Sequence, residues 1–358
     1  MSISTVFVGG FGSAILLFEL HIDSLEIKHS RLFYKETFQS ESCPSFLETF
    51  DNKIYSVNEV DYFDGKKSGG LTYFEITDSG TLNKVQEQCS GGLSPCHLAY
   101  SYDKNCVYVA NYASGHFAVF KVDKDGSLGS LLYSKYFDTG SGCNTERQSS
   151  SHPHGVYIKD NYVYVVDLGA DRIWCFNHKN ESLSLSPVCI LTPSGSGPRH
   201  MVFHKIYSLA FVLTELSNEI LVYSYASETG NLKLISSYPF ISDASQNENG
   251  DLEENFGSEI LIHPNGEFLY ISNRVHGAII SYKILDSEGS LKKIQHYLTA
   301  GTWPRHFAIH PSGKVILCAD QFKDIVEVIA VNASTGMLEK IEIVECKNQP
   351  SCIVFKKF

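Results

Sequence analysis

The sequence predicts an all-β chain folded as a seven-bladed propeller with four-stranded blades. Three observations predict it. One pattern recurs seven times along the chain, apolar residues alternate with a period of two and form no helical stripe of useful length, and the last copy stops short while the first residues supply spare strands.

Six copies are complete: "CPSFLETFDNKIYSVNE", "SPCHLAYSYDKNCVYVANY", "HPHGVYIKDNYVYVVDL", "GPRHMVFHKIYSLAFVLTEL", "GSEILIHPNGEFLYISNR" and "WPRHFAIHPSGKVILCADQ". Each has a short polar lead-in, usually with proline, then an alternating run, a turn and a second run that ends in Asn, Asp or Glu. The lead-ins fall near positions 44, 95, 153, 198, 258, 304 and 350, about 45 to 60 residues apart. Third strands follow, such as "HFAVFKVD" and "AIISYKIL", and glycine turns such as "DKDGSLG" and "SEGSLKK" introduce fourth strands. The seventh copy, "QPSCIVFKKF", is truncated, and "STVFVGG" and "AILLFEL" at the other end would complete its blade, so the N- and C-terminal strands close the ring without an exposed edge. Residues 1–358 thus read as one propeller. The acidic stretch from Ile241 to Phe256 reads as an excursion from it.

Composition narrows the function. The net charge is -11, with 29 basic against 40 acidic residues and no local basic cluster, which argues against a nucleic-acid partner. The first apolar run lacks a basic leader and is too short to span a bilayer, so no membrane segment is expected. Ten cysteines without a CxxC pair suit reduced thiols and a cytoplasmic location.

In a propeller the innermost strands converge on the axis, so residues at their lead-ins meet in one funnel. His97, His154, Arg199 and Arg305 stand at those lead-ins, and Glu59, Asp167, Glu215 and Arg274 stand at the ends of second strands. Asn or Asp at these strand ends can simply cap turn amides, whereas Glu215 is too long for a local cap. Asp167 reads either as such a turn residue or as a partner for a cavity arginine. Arg199, Arg274 and Arg305, aimed at one cavity, would make an anion site. His154 could act as a base or orient a carbonyl, and Gly155 leaves room for a ligand near the backbone. The His152/His154 pair lacks a third ligand nearby, so no metal and no cofactor are expected.

These segments, "HPHGV…VYVVDLGADRI", "GPRHMVFH…FVLTELSNEILVY", "IHPNGEFLYISNRVHGAI" and "GTWPRHFAIHPSGK" above all, closely resemble the seven-bladed propeller lactonase family, from about Phe46 to Phe355. The resemblance implies a metal-independent, cytosolic enzyme acting on a small anionic lactone or sugar acid. It carries His154, Arg199, Glu215 and Arg274 over as catalytic residues, with His97 and Arg305 similarly placed as substrate contacts; Glu59 and Asp167 are expected as further substrate contacts from their strand-end positions alone. His154 is expected as acid/base with Glu215 as its helper, and 6-phosphogluconolactone is the first candidate substrate, a carboxylated muconolactone the alternative. A non-catalytic interaction platform is the rival class. It predicts exposed apolar patches and arginines neutralised by neighbouring acids.

Overall fold

The computed structural model describes residues 2–40, 42–179, 182–184, 186–241 and 254–356. Seven antiparallel sheets stand in a ring. Blade 1 comprises Leu47–Phe50, Lys53–Asn58, Gly70–Ile76 and Leu82–Cys89, from the axis outwards. Blades 2 to 6 repeat this order, with innermost strands Pro95–Ser101, Pro153–Lys159, Pro198–Phe203, Phe256–Ile262 and Pro304–Ile309. Blade 7 takes its innermost strand, Pro350–Phe355, from the C-terminal end and its outer three, Ser2–Gly10, Ala14–Ile22 and Arg31–Gln39, from the N-terminal end. The predicted closure is therefore observed, with Phe7 opposite Val354 and Val8 opposite Ile353.

The core is divided among the blade interfaces. Seven apolar clusters each fill the gap between two neighbouring blades. Second strands such as Cys106–Asn111 and Val315–Asp320 are buried along their whole length, while outermost strands such as Leu338–Glu345 are largely exposed or half-buried. Tyrosines on second strands latch one blade to the next. Tyr55, Tyr164 and Tyr270 donate to the carbonyls of Gly126, Gly230 and Gly336, each in a glycine turn of the following blade. These glycines have positive φ, and a Cβ on Gly336 would lie 2.5 Å from the Phe268 ring.

Blade 3 departs from the pattern. It lacks the glycine turn, its third strand pairs with two short pieces, Ser182–Leu183 and Val188–Leu191, and Tyr108 of blade 2 bonds to His178 Nδ1 instead. Residues 242–253, most of the excursion expected between Ile241 and Phe256, lie outside the described residues.

One local irregularity positions the functional side chains. The pairing of inner to second strand slips by one residue between Pro95 and His97, Pro153 and Gly155, Pro198 and His200, and Pro304 and His306. The same slip separates Gly9 from Gly10 opposite the closing strand. Each slip is a bulge, which leaves one residue unpaired and turns it out of the ladder. The residues so released are Cys96, His154, Arg199, Arg305 and Ser351.

Candidate active site

All five bulge residues line one small, partly open cavity on the axis, together with Ser45, Phe46, Glu59, His200 and His306. The cavity holds about 10 Å³ of open space, room for about one water molecule. In six of the seven repeats the wall residue directly follows the lead-in proline: Ser45, Cys96, His154, Arg199, Arg305 and Ser351. That proline-plus-one position is the signal by which Ser45, Cys96 and Ser351 could have been picked out of the sequence.

Behind the wall Glu215 gathers three guanidiniums. Its Oε2 accepts from Arg199 Nε at 3.0 Å and Arg274 Nη2 at 2.8 Å, and its Oε1 accepts from Arg147 Nη2 at 2.5 Å. Burial alone would raise its pKa, but the charges of Arg274, Arg199 and Arg147 outweigh burial and hold the carboxyl well below the usual carboxylate range. Glu215 therefore pairs with arginines and makes no bond to His154, so the expected histidine helper is instead the hub of an ion cluster. Arg147 was not anticipated. It comes from the connection between blades 2 and 3, outside the repeat, where no register points to the axis. Its side chain is about one-third exposed, against 3% for Glu215, and it also donates to the Tyr112 hydroxyl.

Arg199 is further fixed by its Nη1, which donates to the Ser258 carbonyl at 2.7 Å, and its Nη2 makes no hydrogen bond among the described residues. Arg274 lies one layer back, bonded to the Gly257 carbonyl and over the rings of Phe256 and Trp303. Arg305 differs from the other three. Its guanidinium rests 4.7 Å above the Phe11 ring and has neither a hydrogen bond nor an ion pair among the described residues.

His154 is buried, edge-on to Tyr112 and His200, with Nδ1 4.0 Å from Cys96 Sγ. Burial, and then the charges of Arg199, His200 and Arg305, push its pKa well below the ordinary histidine value, so the imidazole is neutral at pH 7. The room expected beside Gly155 is taken: a Cβ there would lie 2.6 Å from the Tyr157 ring and 3.1 Å from the Arg199 carbonyl oxygen.

Two expected contacts stand elsewhere. Asp167 accepts from Ser151 Oγ, the amides of His152 and Ala170, and Trp174 Nε1, which spends its carboxylate on a turn. Asp320 makes the same kind of cap to Trp303 and Lys323. His97 belongs to a partition below the cavity. It stacks on Phe46 at 4.0 Å, abuts His200, and accepts from the Val156 amide. Glu259 completes that layer, 3.1 Å from His200 Nδ1 and 3.4 Å from His306 Nε2. His152 is outside as well, stacked on Tyr112, with Nδ1 on the Tyr112 carbonyl and Nε2 on Ser150. Among the described residues no three His, Cys, Asp or Glu side chains stand together as metal ligands.

Below the partition a larger chamber of about 460 Å³ opens at the other end of the axis, between Leu98, Ile158, Leu261, Ile309 and Phe355. Among the described residues no lysine or arginine lines it. All the guanidiniums of the axis are thus on one side.

The profile described as "Lactonase, 7-bladed beta-propeller" matches residues 6–355. The 6-phosphogluconolactonase of Bacillus subtilis (strain 168) is 31% identical over 352 residues, covering 97% of this chain and 95% of that one. The 6-phosphogluconolactonase of Formosa agariphila is 31% identical over 348 residues, covering 94% and 95%. In structure, a periplasmic gluconolactonase of Pseudomonas aeruginosa superposes with a TM-score of 0.89 at 24% identity, covering 99% of each chain, a likeness of fold.

Proposed function

Because the chain belongs to the seven-bladed β-propeller lactonase family, we propose that it hydrolyses a sugar-acid lactone, with 6-phosphogluconolactone as the substrate. The observation that supports this reading best is Arg305, a guanidinium without a partner among the described residues, beside a neutral histidine on the wall of the axial cavity. The platform alternative expects every arginine of the funnel to be neutralised. Glu215 does this for Arg147, Arg199 and Arg274, whereas Arg305 makes no ion pair among the described residues and feels Glu59 and Glu215 only at a distance.

A lactone ring is far larger than the cavity, so it sits outward of it, toward Phe11 and Arg147. The cavity takes the attacking water, and His154 orients that water as a hydrogen-bonding neutral imidazole. Arg199, through its unoccupied Nη2, faces the carbonyl oxygen on which negative charge develops. A donor aimed there is worth about 10²–10³ in rate. Arg305, on the outer side, takes the phosphate by its planar fork. The side chains then need no metal for the reaction, and ten unpaired thiols suit a reducing, cytoplasmic compartment.

The test is a direct assay of the purified protein on 6-phosphogluconolactone and on a carboxylated muconolactone, with and without a chelator. Turnover of the sugar lactone above its spontaneous hydrolysis, insensitive to chelator and reduced at least about 100-fold in His154→Ala and Arg199→Ala, is expected. No turnover of any acidic lactone by the parent chain would overturn the reading.

A further inference from the structure

Two carboxylates serve this site, and their surroundings set them apart. Glu215 has both oxygens tied to guanidiniums. Glu59 follows the second strand of blade 1, is half-buried, and lines the cavity itself. Its side chain accepts one hydrogen bond, from Ser45 Oγ at 2.5 Å, and has no ion pair among the described residues. Five other candidates for proton transfer are present, among them the wall histidines His200 and His306, which burial holds neutral and which are both engaged by Glu259. A proton on His154 would create a cation among Arg199 and Arg305. Burial and the nearby Glu59 hold Cys96 as a thiol. Glu215 would have to break its arginine contacts.

We propose that Glu59 is the general base of the hydrolysis, taking a proton from the water held between it, His154 and Arg199. As that proton moves to Glu59, the water oxygen bonds to the lactone carbonyl carbon and the carbonyl oxygen takes up negative charge against Arg199. The carbonyl re-forms as the bond from carbon to the ring oxygen breaks, and Glu59 returns its proton to that ring oxygen, which leaves as a hydroxyl. The second proton of the water departs with the new carboxylic acid, which ionises in solvent. Glu59 ends the cycle as it began, and nothing is oxidised or reduced.

The electrostatics agree with this role. Burial raises the pKa of Glu59, and Arg305, the Ser45 hydrogen bond and Arg199 pull the other way without cancelling it. A carboxylate held above its ordinary value is a better base near neutral pH. The other titratable groups beside it or on the same wall are Cys43, Cys96, His154, His200 and His306; burial pushes Cys43 up and the three histidines down, so the histidines are neutral near pH 7.

The inference rests on the lactonase reading, and the experiment separates the two. On 6-phosphogluconolactone, with spontaneous hydrolysis subtracted, Glu59→Gln is expected to lose at least about 100-fold in kcat with KM within about threefold, while its thermal midpoint stays near that of the parent. The parent's kcat should fall on the acid side with a limb above the ordinary carboxylate range, and that limb should vanish in Glu59→Gln. Ser45→Ala keeps the carboxylate but loses the hydrogen bond that favours its ionised form. It should move the limb to higher pH, and a limb that stays in place would overturn its assignment to Glu59. A Glu59→Gln enzyme with kcat within about threefold of the parent, or with raised KM and unchanged kcat, would overturn the proposal and leave Glu59 a substrate contact. A parent that turns over no acidic lactone would instead remove the lactonase reading, and the proposal with it.

Discussion

Glu215 matters to the fold through the charge it supplies. Replacing it with glutamine leaves Arg199 and Arg274 buried against each other without an anion, and removing one partner of a buried pair costs about 3–5 kcal/mol. Glu215→Gln should therefore lower the thermal midpoint markedly. The sign with pH follows from its depressed pKa. The stability it contributes is full above its ordinary value of 4.5 and drains away as the pH falls below that. Melting curves of parent and variant between pH 7 and pH 3 should converge on acidification, and a constant gap would contradict this account. The sequence marked Glu215 as unusual because glutamate is a poor turn cap. It could not reveal that three arginines from three parts of the chain meet there, since Arg147 lies in a connection without strand periodicity. Asp167 shows the opposite limit, because an aspartate at a strand end looks alike in sequence whether it caps amides or faces a cavity.

Strands carry the next level. The blades were legible because central strands buried on both faces read as apolar runs and outer strands alternate. The bulges were not legible as such, since a slip of one residue changes pairing without changing composition. Their product was, in that the residue after each lead-in proline is the one that faces the axis. Closure of the ring depends on one strand, Pro350–Phe355, whose Cys352 and Ile353 are fully buried between blades. A chain ending at Gln349 would lose those contacts, at about 1.5–3 kcal/mol for each large apolar side chain, and leave the edge of Ser2–Gly10 unpaired. It is expected to elute as aggregate or to melt at least about 10 °C lower than the full chain. A monomeric product with an unchanged melting curve would show that the ring tolerates an open blade.

On the scale of the whole molecule, the seven-fold repeat gives each blade nearly the same framework and leaves the proline-plus-one positions to differ. Among the described residues, the result is an axis with its guanidiniums on one side and, on the other, an apolar chamber lined by no lysine or arginine. An acidic protein thereby presents a local attraction for an anion at one end of its axis.

Phe46, His97, His200, Glu259 and His306 wall off the middle of that axis, so it is a blind alley and not a corridor. Whatever is made there must back out through the doorway by which its precursor came in. The acid and the lactone can then never be aboard together, and each must wait for the other to leave. In initial-rate measurements, added 6-phosphogluconate is expected to raise the apparent KM for the lactone and leave the maximal rate untouched. A fall in the maximal rate would mean that the acid lodges from the far end with the doorway still open, and that the wall is not the barrier drawn here.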